Sequence, residues 1–145
     1  MGGMISSEIR VEGKRIGFQL EDVSSHEVGV LAKTNQRMPG APMVGRYSVN
    51  LADIERVGVA AIKRATMNAD VVVVDEIGPM ELKSPEFVLA VEEALGSRKS
   101  FLGTLHKRST HPLIHTIRRT PNYELIEVTV ANRNVLALEV ISRLM

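Results

Sequence analysis

The chain has 145 residues and a mass of 15.9 kDa, 44% of them hydrophobic and 24% charged, which excludes disorder and collagen-like repeats and allows a proper buried core. It has no cysteine, so a disulfide framework, zinc–thiolate or iron–sulfur ligation and thiol catalysis are excluded. With 18 basic and 17 acidic residues, a net charge of +1, two tyrosines, three phenylalanines and no tryptophan, it has neither a field that steers nucleic acid nor a platform for stacking bases.

No low-complexity stretch, repeat or long apolar run interrupts the chain, and no basic segment precedes an apolar one, so residues 1–145 are expected to form one cytoplasmic domain with no membrane partner. Gly3–Arg10, Arg15–Val23 and Glu27–Ala32 read as three short strands. Gly13 turns the first into the second, and Ile16, Phe18 and Leu20 alternate with Gln19 and Glu21. The stretch Lys33–Gly45, KTNQRMPGAPMVG, reads as a loop. Tyr47–Asn50 then leads into a helix capped by Asn50, with Leu51, Ile54, Val57, Ala61, Ile62 and Ala65 on one stripe.

Asp70–Asp75 reads as a strand covered on both faces, because its valines run without polar alternation. Ser84-Pro85-Glu86 opens a helix that Gly96 closes. A strand over Ser100–Leu105, a short helix over Thr110–Arg119, a strand over Tyr123–Thr129 and a helix over Asn132–Leu144 follow. The alternation from Leu51 onward predicts an α/β fold with a mostly parallel sheet and helices on both faces. Ligands bind such sheets outside the carboxyl ends of the strands.

The strongest local signal is VVVVDEIGPMEL, Val71–Leu82, which delivers Asp75 and Glu76 at a strand end before a Gly78-Pro79 turn. Adjacent carboxylates there need a positive or hydrogen-bonding partner. In nucleotide hydrolases the aspartate of such a pair holds Mg2+, usually through water, and the glutamate polarises the attacking water. A capping pair or a solvated strand end has the same pattern. The usual companion, G-x-x-x-x-G-K-[ST], does not occur: at Gly13-Lys14, Glu8 stands in place of the first glycine and Arg15 in place of Ser or Thr.

These residues, with GGMISSEIR, GRYSVN, GTLHKRSTHPLIHTIRR and IEVTVANR, resemble the cancer-related nucleoside-triphosphatase family, also called THEP-type, in order from Gly2 to Met145. The resemblance implies a P-loop NTPase fold of the RecA-like kind that hydrolyses ATP, GTP and other nucleoside triphosphates to diphosphates with Mg2+. It makes Asp75 the Walker B aspartate on Mg2+ and Glu76 the catalytic glutamate. Family members carry a strand, a glycine-rich Walker A loop and a helix, roughly 30 residues, ahead of the segment matching Gly2-Gly3-Met4. The 145 residues are therefore expected to be a domain without that N-terminal strand–loop–helix and impaired in binding NTP. The alternative is a non-catalytic binding or regulatory domain on the same scaffold.

His106 follows the strand Ser100–Leu105, where it can sense a γ-phosphate or hold the attacking water, and it is a second catalytic candidate. Arg108 and Arg118 are candidate phosphate contacts, although Arg118 and Arg119 also suit the last turn of a helix. The resemblance places Asn132 and Arg133 near the nucleotide base, and Asn132 also suits a helix cap. His111 and His115, with His106 nearby, invite a metal reading, but no carboxylate is spaced to complete a shell. Met38, Met43, Met67 and Met80 read as gap fillers.

Overall fold

The first three sequence-predicted strands form with small shifts: β1 (Gly2–Val11), β2 (Lys14–Asp22) and β3 (Val28–Lys33). Glu12 and Gly13 make the first turn with positive φ, which Gly13 adopts at no steric cost. The computed structural model describes residues 1–34 and 39–144, so Met38, with part of the loop Lys33–Gly45, lies outside the described residues. Two short strands follow, β4 (Met43–Val44) and β5 (Tyr47–Val49).

Asn50 caps the next helix as its side chain predicts, its Oδ1 accepting the N–H of Asp53 at 3.0 Å. The helix is not uniform. α1 (Leu51–Asp53) widens into a π-helical stretch, Ile54–Val59, before α2 (Ala60–Asn68). The wide turns coincide with three buried residues in succession, Val57, Gly58 and Val59. Gly58 allows the close approach: a Cβ there would lie 3.1 Å from Met4 Sδ.

β6 (Val71–Ile77), α3 (Pro85–Gly96), β7 (Ser100–Leu105) and α4 (Pro112–Arg119) follow as the alternation predicts. Ser84 Oγ accepts the N–H of Phe87 at 3.1 Å, a cap contributing about 1 kcal/mol. The strands form one seven-stranded sheet in the order β4-β5-β3-β2-β1-β6-β7. β6 and β7 pair in parallel, as expected of the alternating part, and β1 joins β6 in parallel as well. β1 to β5 pair antiparallel, so the sheet as a whole is mixed. Tight turns such as Glu12-Gly13 permit antiparallel neighbours, whereas parallel ones need crossovers.

Gly3 is the tightest point in the sheet. It has φ +120°, pairs with Val73, and an added Cβ would sit 1.9 Å from the Val73 carbonyl oxygen. Around this seam Met4, Leu20, Leu31, Ile54, Val72, Val74, Ile77 and Phe87 form a continuous core, joined by Leu113, Ile114 and Ile117 of α4.

The predicted strand Tyr123–Thr129 does not form. β7 is the last strand of the sheet and nothing among the described residues pairs with its outer side. Tyr123 packs on Phe101 with ring centroids 6.2 Å apart, and Lys107 pairs with Glu127 at 2.6 Å, but these side-chain ties bring no ladder with them. Leu125, Ile126, Val128 and Val130 are exposed as a result. The final helix also starts late: α5 spans Leu136–Leu144, because 130–135 turn first.

Candidate active site

The acidic pair sits on an irregularity in the parallel ladder. Val74 pairs with Gly103 and Ile77 with Leu105, so three steps along β6 match two along β7. The extra residue falls at Asp75–Glu76, where the peptide bond is cis. A bulge of this kind interrupts the ladder and re-aims side chains. It explains why β6 runs two residues beyond the predicted end at Asp75 and yet presents both carboxylates.

Each carboxylate has its own support. Asp75 Oδ1 accepts the hydroxyl of Thr104 on β7 at 2.7 Å. Glu76 folds back over Gly78: a Cβ on that glycine would lie 2.7 Å from Glu76 Oε1 and 2.9 Å from its Cδ. His106 follows β7, and its backbone N–H donates to the Ile77 carbonyl at 3.4 Å. The Nδ1 atom of His106 is buried with no hydrogen-bond partner among the described residues.

Sequence reasoning missed two members of this cluster. Thr104 carries no motif; its only signal is a hydroxyl near the carboxyl end of a strand. Glu81, ahead of the helix opening at Ser84, has no role legible in the sequence, and it is 2% exposed in a short 3-10 turn, Glu81–Lys83. Burial pushes its carboxyl up to about 8, and the charges of Glu76 and Asp75 add to the shift against the pull of nearby backbone N–H groups. The ion pairs of the described residues lie elsewhere, so no lysine or arginine there neutralises Asp75, Glu76 or Glu81.

The three acids and His106 border a cavity of about 410 Å3, walled also by Ser6, Ser7, Glu8, Phe18, Leu31, Val44, Pro79 and Met80. Glu8 is held below the usual carboxylate range by Arg10 and Arg15, whose nearest nitrogens lie at 2.8 and 3.3 Å. His106, Val44 and Pro79 also line a second, more open hollow of about 480 Å3 with Lys83, Arg108 and His111. Carboxylates dominate the first space and cations the second.

The remaining candidates are placed apart from the acids or are engaged. Arg118 donates to the Lys107 carbonyl at 2.8 Å and braces the segment after β7. Asn132 closes a turn: Oδ1 accepts the N–H of Thr129 and Nδ2 donates to the Glu127 carbonyl, both at 2.8 Å. Arg133 is exposed beside it. His111 caps α4, its Nδ1 accepting the N–H of Leu113 at 3.1 Å, so its ring is not free to pair with His115. Among the described residues no group of three or more His, Cys, Asp or Glu is arranged to hold a metal alone, and no helix is long and apolar enough to cross a membrane.

Comparison with known proteins identifies the family. A family model described as NTPase matches residues 1–141. The Nucleoside-triphosphatase THEP1 of Methanosarcina acetivorans is 42% identical over 143 residues, 99% of this chain and 78% of the relative. The crystal structure of THEP1 from Aquifex aeolicus superimposes with a TM-score of 0.86 at 29% identity, covering 99% of this chain and 83% of the other. The solution structure of a human cancer-related nucleoside triphosphatase gives 0.82 at 30% identity, covering 99% and 81%. The chain belongs to the THEP1-type nucleoside-triphosphatase family and has its P-loop NTPase fold.

Proposed function

We propose that this chain's site hydrolyses nucleoside triphosphates, ATP and GTP among them, to diphosphate and phosphate in the cytoplasm. The observation that carries the reading is the bulge at Asp75–Glu76, which sets two unneutralised carboxylates side by side at the carboxyl end of β6. Glu76 orients water for in-line attack on the γ-phosphorus and takes its proton. His106, with its free buried nitrogen, holds the water or the γ-phosphate. Arg108, in the basic hollow next door, is the best placed of the arginines to meet phosphate oxygens.

The donor set fits Mg2+, which keeps several waters and takes one or two carboxylates plus substrate phosphates rather than a closed protein cage. Asp75, steadied by Thr104, would hold it. When bound, the ion neutralises charge that develops on the phosphate oxygens.

The 145 residues contain no G-x-x-x-x-G-K-[ST], so the chain by itself has no ring of backbone N–H groups and no lysine for the β- and γ-phosphates. It therefore binds NTP weakly; micromolar ATP affinity by calorimetry would overturn this. Hydrolysis is tested in an extended chain, with a strand, such a loop and a helix joined ahead of Met1. Glu76→Gln there lowers phosphate release by roughly two orders of magnitude or more. Unchanged turnover in that variant removes Glu76 from the chemistry. An extended chain that binds ATP and never turns it over favours the alternative, a non-catalytic binding or regulatory domain.

A further inference from the structure

Hydrolysis needs room for one water, about 30 Å3. The cavity that ends at Glu76 holds about 410 Å3, within the range of pockets that enclose small organic molecules. Its strand walls come from β1 to β4, on the side of β6 away from β7, whereas Asp75 is turned toward β7 by Thr104. Asp75 and Glu76 both border this space, while one oxygen of Asp75 is tied to Thr104 on the β7 side.

The lining states what this space accepts. Phe18, Leu31, Val44 and Met80 give an apolar wall, and Ser6 and Ser7 give hydroxyls along one rim. No lysine or arginine lines it, while Glu8, Asp75, Glu76 and Glu81 do, and Arg10 and Arg15 just outside it are both taken up by Glu8. A phosphorylated or carboxylated ligand would meet the charges of Asp75 and Glu76 with no cation in the lining to offset them. An uncharged molecule with a flat apolar ring and hydroxyl groups meets Phe18 with the ring and the carboxylates with its hydroxyls.

We propose that this cavity binds an uncharged, hydroxyl-bearing molecule of nucleoside size, whose hydroxyl replaces water as the acceptor of the γ-phosphoryl group. The inference rests on the reading of Asp75 and Glu76 as the triphosphate end of the site. In the step, the acceptor oxygen forms a bond to the γ-phosphorus and the bond from that phosphorus to the β–γ bridging oxygen breaks. The electron pair leaves with the nucleoside diphosphate. The hydroxyl proton passes to the Glu76 carboxylate, and the products are a phosphomonoester and the diphosphate. Hydrolysis is then the outcome when the cavity holds only water.

Thymidine is the probe, since thymidine monophosphate cannot arise by breakdown of ATP. In the 145-residue chain, thymidine should shift the methyl NMR signals of Leu31, Val44 and Met80 saturably, with half-saturation at about 1 mM or below. Thymidine monophosphate should bind at least tenfold more weakly. Ser7→Trp, a change at an exposed rim position, should abolish the shifts while the fold is kept. Absence of shifts at 10 mM thymidine (about ten times that half-saturation), or equal binding of the monophosphate, overturns the proposal. In the extended chain with Mg-ATP, 31P NMR should show thymidine monophosphate forming at the expense of free phosphate. Phosphate release with no monophosphate overturns this inference and leaves the triphosphatase reading standing. An extended chain that yields neither product overturns both.

Discussion

Glu76 rests its carboxylate on Gly78, two residues further along its own chain, in space that only a missing side chain provides. The glycine is therefore part of how the acid is aimed. Gly78 has an ordinary φ, so it is the contact and not the backbone conformation that demands glycine.

Gly78→Ala should leave the fold intact, because the atom it strikes is the end of a flexible side chain. The carboxylate must swing aside by an ångström or so, and displacements of that size cost up to about a hundredfold in rate. We expect phosphate release by the extended chain to fall by about tenfold or more, with KM for ATP little changed. Wild-type kcat in this variant would show that Glu76 is not aimed by this contact.

Thr104→Ala removes the hydroxyl that donates to Asp75 Oδ1. The loss of one hydrogen bond to a charged group is worth about 1.5–3 kcal/mol where the carboxylate is its beneficiary. The Mg2+ concentration needed for half-maximal turnover should rise by roughly tenfold, and Thr104→Ser should restore it. A magnesium requirement unmoved in the alanine variant would separate Thr104 from the metal's support.

Glu81 sets a pH dependence of stability. Its folded carboxyl is raised from an ordinary 4.5 to about 8, so between these values the native state holds a proton that the unfolded chain has released. The unfolded state binds fewer protons there, and stability falls as pH rises through the window. Melting temperature in the absence of divalent ions should drop between pH 5 and about 8. Glu81→Gln, neutral throughout, should flatten that slope and melt higher than wild type at pH 8. An unchanged slope would mean that other groups cause it.

Gly3→Ala tests the seam between β1 and β6. The new Cβ would collide with the Val73 backbone, which cannot rotate away, and alanine also resists a φ of +120°. A loss of about 3 kcal/mol or more is expected in denaturant melts. Near-wild-type stability would show that the parallel pairing of β1 with β6 is looser than the register implies.

What the sequence revealed depended on whether a residue's role is local. Asn50 and Ser84 cap helices through atoms three residues away, and both caps were legible. The valine run gave β6, and the acids at its end gave the site. Thr104 meets Asp75 from 29 positions away, and no pattern in either segment announces the pair. Glu81 lies in the VVVVDEIGPMEL segment with no local sign that the core closes over it. The π-helical stretch hid behind a good apolar stripe, since Gly58 yields to Met4 across the sheet. Residues 123–129 read as a strand from composition, but a strand exists only where a neighbour supplies its ladder.

The two borders of the sheet differ in kind. β4 is two residues long and follows Pro42, so that side is blunt. β7 ends the other side with six residues, SFLGTL, free of charge and proline. Among the described residues β7 is the border that offers a further strand the longer ladder. The backbone of such a strand would then run past Thr104 and finish beside His106. Growth of the sheet and furnishing of the acidic site are, in this architecture, a single event.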